Sequence, residues 1–195
     1  MTATLLREFF DILTQGLVAP RRTVRRFIDA APDLPDRLLL VGLAAALQGT
    51  LWALSALLTQ GAGLGFSGQI RLAVQVFLNY AVTATIAFHV GRYFGGTGER
   101  TDVATAIAWH AMLTAALTPV LVMAVGGQAP GGAGMSFGGA LLVLFYAGFN
   151  VWLLANCIAE AHGFQNVAKV AAVTFGLSVA VGFVLLLIVG GLLAA

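Results

Sequence analysis

The sequence predicts an all-α protein, a polytopic transmembrane bundle of five helices preceded by short amphipathic interfacial helices. Three observations predict it. Of 195 residues, 59% are hydrophobic and only 9% are charged, against roughly 25% charged in a soluble domain. Five apolar runs, at about 38–60, 72–94, 102–125, 137–160 and 167–193, each exceed the roughly 20 residues needed to cross the hydrocarbon. The charges are also crowded at one end: the first 37 residues hold six Arg and five acids, and the remaining 158 hold four basic and three acidic residues. So few charges cannot coat a core in water, and the bilayer must be the solvent. The chain divides into an N-terminal segment, 1–36, and a five-helix transmembrane domain, 37–195.

Residues 5–18 pattern as one amphipathic helix. At 100° per residue Leu5, Leu6, Phe9, Phe10, Ile12, Leu13 and Leu17 share an arc, and Arg7, Glu8, Asp11, Thr14 and Gln15 fill the opposite one. The segment is too polar to span and suits the interface plane. Its early charges interrupt any signal-peptide core, so no cleaved leader is expected. Pro20 then opens a second short helix over 20–31. Arg21, Arg22, Arg25, Arg26 and Asp29 lie on one face and Val24, Phe27 and Ile28 on the other, and Pro32 and Pro35 end it. Arginines beside anionic lipid gain about 1 kcal/mol each. The pair of helices therefore reads first as a surface anchor, with Arg21, Arg22, Arg25 and Arg26 on headgroups and Phe9, Phe10 and Phe27 inserted. Docking of an acidic partner is the other reading.

The five runs are joined by short connections, at 61–71, 95–101, 126–136 and 161–166, which force antiparallel neighbours. With the N-terminus inside, the inner set of basic residues is Arg7, Arg21, Arg22, Arg25, Arg26, Arg37, Arg92, Arg100 and Lys169, and the outer set is Arg71 alone. That bias obeys the positive-inside rule. It places the N-terminus in the cytoplasm and the C-terminus outside. Small residues recur every four positions in the first run (Ala45, Gly49, Ala53) and the fifth (Ala172, Gly176, Ala180). Such stripes let backbones approach closely, within the chain or in a homodimer.

Several polar residues fall inside the runs. His89 and Asn79 lie in the second, and His110, Thr114 and Thr118 lie four apart in the third. Asn150, Asn156 and Glu160 lie in the fourth, with His162 just beyond. Intramembrane ionisable residues are candidate functional sites by default. His89, His110, Asn79, Asn156, Glu160 and His162 form the candidate polar cluster, with His89, His110, Glu160 and His162 assigned to the cytoplasmic half. No His-x-x-x-His or Glu-x-x-His spacing supports a metal, and the expected use is structural pairing. A Glu160–Lys169 ion pair across the 161–166 hinge is the pairing expected for the carboxylate. Cys157, the one cysteine, sits in an apolar run and reads as a buried, inert thiol. Enzyme chemistry has no support: there is no paired carboxylate, no nucleophile beside a base and no phosphate-cradling loop. Gly95-Gly96-Thr97-Gly98 follows a helix without strand or lysine and reads as a tight turn. No cofactor and no nucleic acid are implied. Pro119 and Gly126 are expected to kink the third run.

Two stretches carry a resemblance. One reads Phe94-Gly95-Gly96-Thr97-Gly98-Glu99-Arg100-Thr101-Asp102, followed by a helix with Pro119. The other reads Phe149-Asn150-Val151-Trp152-Leu153-Leu154-Ala155, running into Glu160-Ala161-His162-Gly163-Phe164 and Lys169-Val170-Ala171. Together with the basic, Pro-containing N-terminal segment, they resemble the bacterial branch of the Yip1 family. The resemblance implies five transmembrane helices with the N-terminus inside and no enzymatic activity. The eukaryotic relatives' link to Rab GTPases is not carried over, because the long cytoplasmic N-terminal region is missing.

Arg-for-Lys usage and abundant Ala and Gly suggest a bacterial inner membrane. The functional expectation is a non-enzymatic scaffold or accessory protein that binds other membrane proteins, or itself, or shapes the bilayer. The alternative is a small-molecule or ion carrier with a polar cytoplasm-facing cavity. A carrier needs its polar side chains to converge on one water-filled space, whereas a scaffold buries them in separate pairs.

Overall fold

The computed structural model describes residues 2–60, 65–126 and 136–194. All regular structure among them is helical: α1 Thr2–Val18, α2 Pro20–Asp29, α3 Leu34–Gln60, α4 Phe66–Tyr93, α5 Arg100–Ala116, α6 Thr118–Gly126, α7 Phe137–His162 and α8 Val167–Ala194. Most of the connection expected at 126–136, and part of that at 61–71, lie outside the described residues.

The apolar runs fall on α3, α4, the α5–α6 pair, α7 and α8. Three helices (α3 over Leu34–Ser55, α4 and α7) are long and apolar enough to cross a membrane by themselves, and the α5–α6 pair, bent by 42°, is so only when its two helices are taken together. The chain is a multi-pass membrane protein. The bend falls at Leu117, whose N–H still reaches Leu113 and Thr114. Pro119, in the first turn of α6, has no N–H to continue the ladder.

Helix ends are set by local chemistry, and two of them differ from expectation. Pro35 does not terminate α2. It sits in the first turn of α3, where a missing N–H costs nothing, and Asp33 caps that turn by accepting from Asp36 N–H at 3.0 Å. The second span begins at Phe66, so Arg71 lies within α4 and is exposed, not in a loop. The α7 N-terminus is capped by Ser136, whose Oγ accepts from Gly139 N–H at 3.0 Å. Its C-terminus closes through Gly163 at φ +72°, with Phe164 N–H reaching back to Ala159 O at 2.8 Å, a left-handed closure that glycine tolerates. Asn166 Oδ1 then caps α8 by accepting from Lys169 N–H at 3.0 Å.

The packing is that of a membrane protein. Small side chains fill the interior: Ala44, Ala106, Ala108, Ala115, Ala155 and Ala159 are fully buried. Large apolar ones point out, as in the stripe Ile70, Val74, Leu78 and Val82 along α4. Helix α5 is the hub. It contacts α1, α2, α3, α4 and α7, and Val103, Ala106, Ile107, Trp109, Met112 and Leu113 on it are all buried. The α3 stripe packs as expected, with Ala45 and Gly49 buried. The α8 stripe does not: Ala172, Gly176 and Ala180 are exposed, and a Cβ on Gly176 would meet nothing within 4 Å. Helix α8 packs on α7 through its other side, and Thr174 is buried there.

Candidate functional site

The N-terminal helices are latched onto the bundle. On α1, Leu13 is buried, and Gly16 lies so close to α5 that a Cβ there would stand 2.6 Å from Leu113 Cδ2. On α2, Val24 and Thr23 are buried. Phe27 stacks on Trp109 of α5 at a centroid distance of 4.3 Å, and Trp109 Nε1 donates to Thr23 Oγ1 at 3.3 Å. Beside this contact Arg21 Nε donates to Glu160 Oε2 at 2.8 Å. Glu160 is therefore paired with α2, not with Lys169 across the hinge. The reason is geometric: α2 lies along α7 and brings a guanidinium to the carboxylate, a pairing that no local spacing reveals.

The residues read as lipid or partner contacts divide between two settings. Arg21 and Phe27 face the bundle. Arg22, Arg25, Arg26, Phe9 and Phe10 are exposed, with Arg25 on Asp29 at 3.1 Å and Arg26 on Gln15 at 3.1 Å. Thr23, Trp109 and Gly16 were not singled out from the sequence. Thr23 sits among arginines on a helix that reads as solvated, and Trp109 is one apolar residue in an apolar run.

The six polar residues grouped by the sequence occupy six separate places. His110 stands 3.4 Å from Thr114 Oγ1 on its own helix. That hydroxyl also accepts from Asn150 Nδ2 of α7 at 3.0 Å, so Asn150 joins a small α5–α7 network. Asn156 is buried and donates to Trp152 O at 2.8 Å. Glu160 is held by Arg21. His89 is exposed on α4, edge-on to Phe88. Asn79 is exposed on the same helix and lines, with Lys169, a groove between α4 and α8. No group of three or more His, Cys, Asp or Glu able to hold a metal occurs among the described residues. Cys157 is buried among apolar neighbours.

His162 has the most specific setting. Its ring is enclosed by α4 and the loop that follows it. Nε2 lies 3.1 Å from Ala87 O. Because a carbonyl only accepts, Nε2 carries the proton. Nδ1 is buried with no hydrogen-bond partner among the described residues. A Cβ at Gly91 would overlap the imidazole, one at Gly96 would press on Nδ1 and Cβ, and one at Gly98 would strike Ala161 O. Thr97 N–H donates to His162 O at 3.2 Å, and Gly96 N–H closes the end of α4 on Gly91 O at 2.8 Å. The glycine loop 95–98 is thus a turn and also one wall of a cradle, and His162-Gly163 is its content.

This cradle joins the two stretches of sequence that carried the family resemblance. A family model described as the Yip1 domain matches residues 15–189. The chain belongs to the Yip1 family. The match includes both halves of the cradle and the whole of α2, so the α2 part of the latch lies inside the Yip1 domain. No match was found among curated proteins or among solved structures.

Proposed function

We propose that this Yip1-family protein, of the bacterial branch, is a non-enzymatic scaffold or accessory protein of the inner membrane, with its N-terminus cytoplasmic and its C-terminus periplasmic. The observation that carries the proposal is the dispersal of the intramembrane polar groups. Arg21–Glu160, His110–Thr114–Asn150, Asn156–Trp152 and His162–Ala87 are paired in four separate places. A carrier would gather them around one path. The outward features suit recognition. Phe9, Phe10, Arg22, Arg25 and Arg26 present an apolar and basic surface to anionic headgroups, and the open α8 stripe of Ala172, Gly176 and Ala180 offers close approach to another membrane helix.

Purification from native membrane in mild detergent tests this reading. It expects a membrane protein, or a second copy of the chain, to co-elute in fixed ratio, and Gly176→Leu to remove it while the helix content and melting of the chain itself stay unchanged. Reconstitution in vesicles gives the opposing outcome. A pH-linked solute or ion flux abolished by Glu160→Gln would sink the scaffold and establish a carrier.

A further inference from the structure

Helices α4 and α8 stand apart, with α7 behind them. The space between them is a groove of about 630 Å³. Val82 and Ile86 of α4 form one wall, Val173 and Leu177 of α8 the other, and Ile158 of α7 the floor. Lys169 sits at one end of the groove on α8, and Ser178 and Asn79 mark the other. Val82 is 55% exposed, so the groove opens sideways into the surroundings of the bundle.

Its dimensions select the occupant. From Lys169 to Ser178 on α8, and from Gly91 back to Asn79 on α4, the groove runs roughly 14–18 Å at 1.5 Å per residue. That is about one leaflet of a hydrocarbon core roughly 30 Å thick. A narrow trough one leaflet long, walled by aliphatic side chains of two helices, suits a flexible acyl chain, which takes up an uneven apolar surface without the matched small-residue face that close helix packing needs. The charge at the mouth completes the selection. Lys169 has no carboxylate partner among the described residues, Glu160 nearby being engaged by Arg21. Gln165 and Asn166 add polar groups beside it. Ser178 Oγ, at the deep end, is turned back onto Thr174 O at 2.9 Å, so that hydroxyl makes no demand on an apolar guest.

We propose that the α4–α8 groove binds one anionic phospholipid, its acyl chain lying between Val82, Ile86, Val173 and Leu177 and its phosphate on Lys169. The site lies outside the latch and shares only the α4 wall at Ala87 and Gly91 with the cradle, and it stands whether or not the chain is a scaffold.

Native mass spectrometry of the full chain, delipidated and then given phosphatidylglycerol or phosphatidylcholine, tests it. One retained phosphatidylglycerol per chain is expected, with phosphatidylcholine retained more weakly. Lys169→Gln should weaken phosphatidylglycerol retention about fivefold and erase the preference, the effect of one basic residue at a lipid surface. Val173→Trp fills the groove and should abolish retention of both lipids, and Leu177→Trp does the same from the next turn if the first variant does not fold. A melting shift from inorganic phosphate alone as large as that from phosphatidylglycerol would assign Lys169 to a soluble anion and overturn the lipid. Dimers lost on Val173→Trp would show that a second copy covers the groove, with the same consequence. Undiminished phosphatidylglycerol retention in a folded Trp variant would place the lipid elsewhere and equally refute the site.

Discussion

Glycine at 91, 96 and 98 follows from the imidazole of His162. A methyl group at Gly91 would occupy the space of Nε2, the atom bound to Ala87 O, and neither the ring nor the α4 backbone has room to yield. Gly91→Ala should therefore destabilise the protein by about 1–3 kcal/mol, the usual cost of overpacking, seen as a lower melting temperature in detergent. In a His162→Ala background the ring is gone and the same substitution should be nearly neutral. That non-additivity is the signature of direct contact, and equal costs in both backgrounds would show that the cradle does not govern residue 91. The imidazole also explains why a polar residue is tolerated at the end of α7. One nitrogen is satisfied, and the ring fills a volume lined by glycines.

The α2 helix depends on two different anchors, an aromatic stack with its indole hydrogen bond and an ion pair. The Arg21–Glu160 pair is partly buried, at 33% and 17% side-chain exposure, so its loss should cost about 1 kcal/mol, near the upper end for exposed pairs. Limited proteolysis between α2 and α3 reads this directly. Arg21→Glu or Glu160→Arg alone should speed cleavage there, and the two together should restore the native rate. Reversing Glu160 with Lys169 instead should give no recovery, because Lys169 is not the partner. The latch was hard to read from the sequence for a physical reason. A basic amphipathic helix has the same pattern whether its apolar side rests on lipid or on protein, and Val24 and Phe27 give no sign of which. Glu160 is 139 residues from Arg21, and only the fold brings them together. The spans were legible because a hydrocarbon solvent demands long apolar runs, and the bend near Pro119 because the ring removes a donor. His89 and His162 are kept apart by helical phase: Ala87 and Gly91, one turn apart, face in, and His89 falls on the outward side.

The bundle brings Arg21, Arg92, Arg100 and Lys169 to one end, because Thr97 bonds His162, Arg21 bonds Glu160 and Lys169 begins α8 just beyond. In the orientation proposed above, that end faces the cytoplasm. A reporter active only outside the cytoplasm should be silent when fused within 95–101 and active when fused within 126–136 or after Ala195. Activity at 95–101 would overturn the orientation. The enclosure of α5 has a further consequence, in time instead of space. The surfaces that hold α1 and α2 belong to α5 and α7, and Glu160 leaves the ribosome 139 residues after Arg21. At about 5–20 residues per second, the first two helices exist for roughly 7–28 s before their last anchor is made. Until Trp109 of α5 is made, 86 residues after Thr23 and so for roughly 4–17 s at that rate, Phe27, Val24 and Leu13 lack the α5 surface that covers them, and the nascent chain must shelter them against the bilayer it is entering.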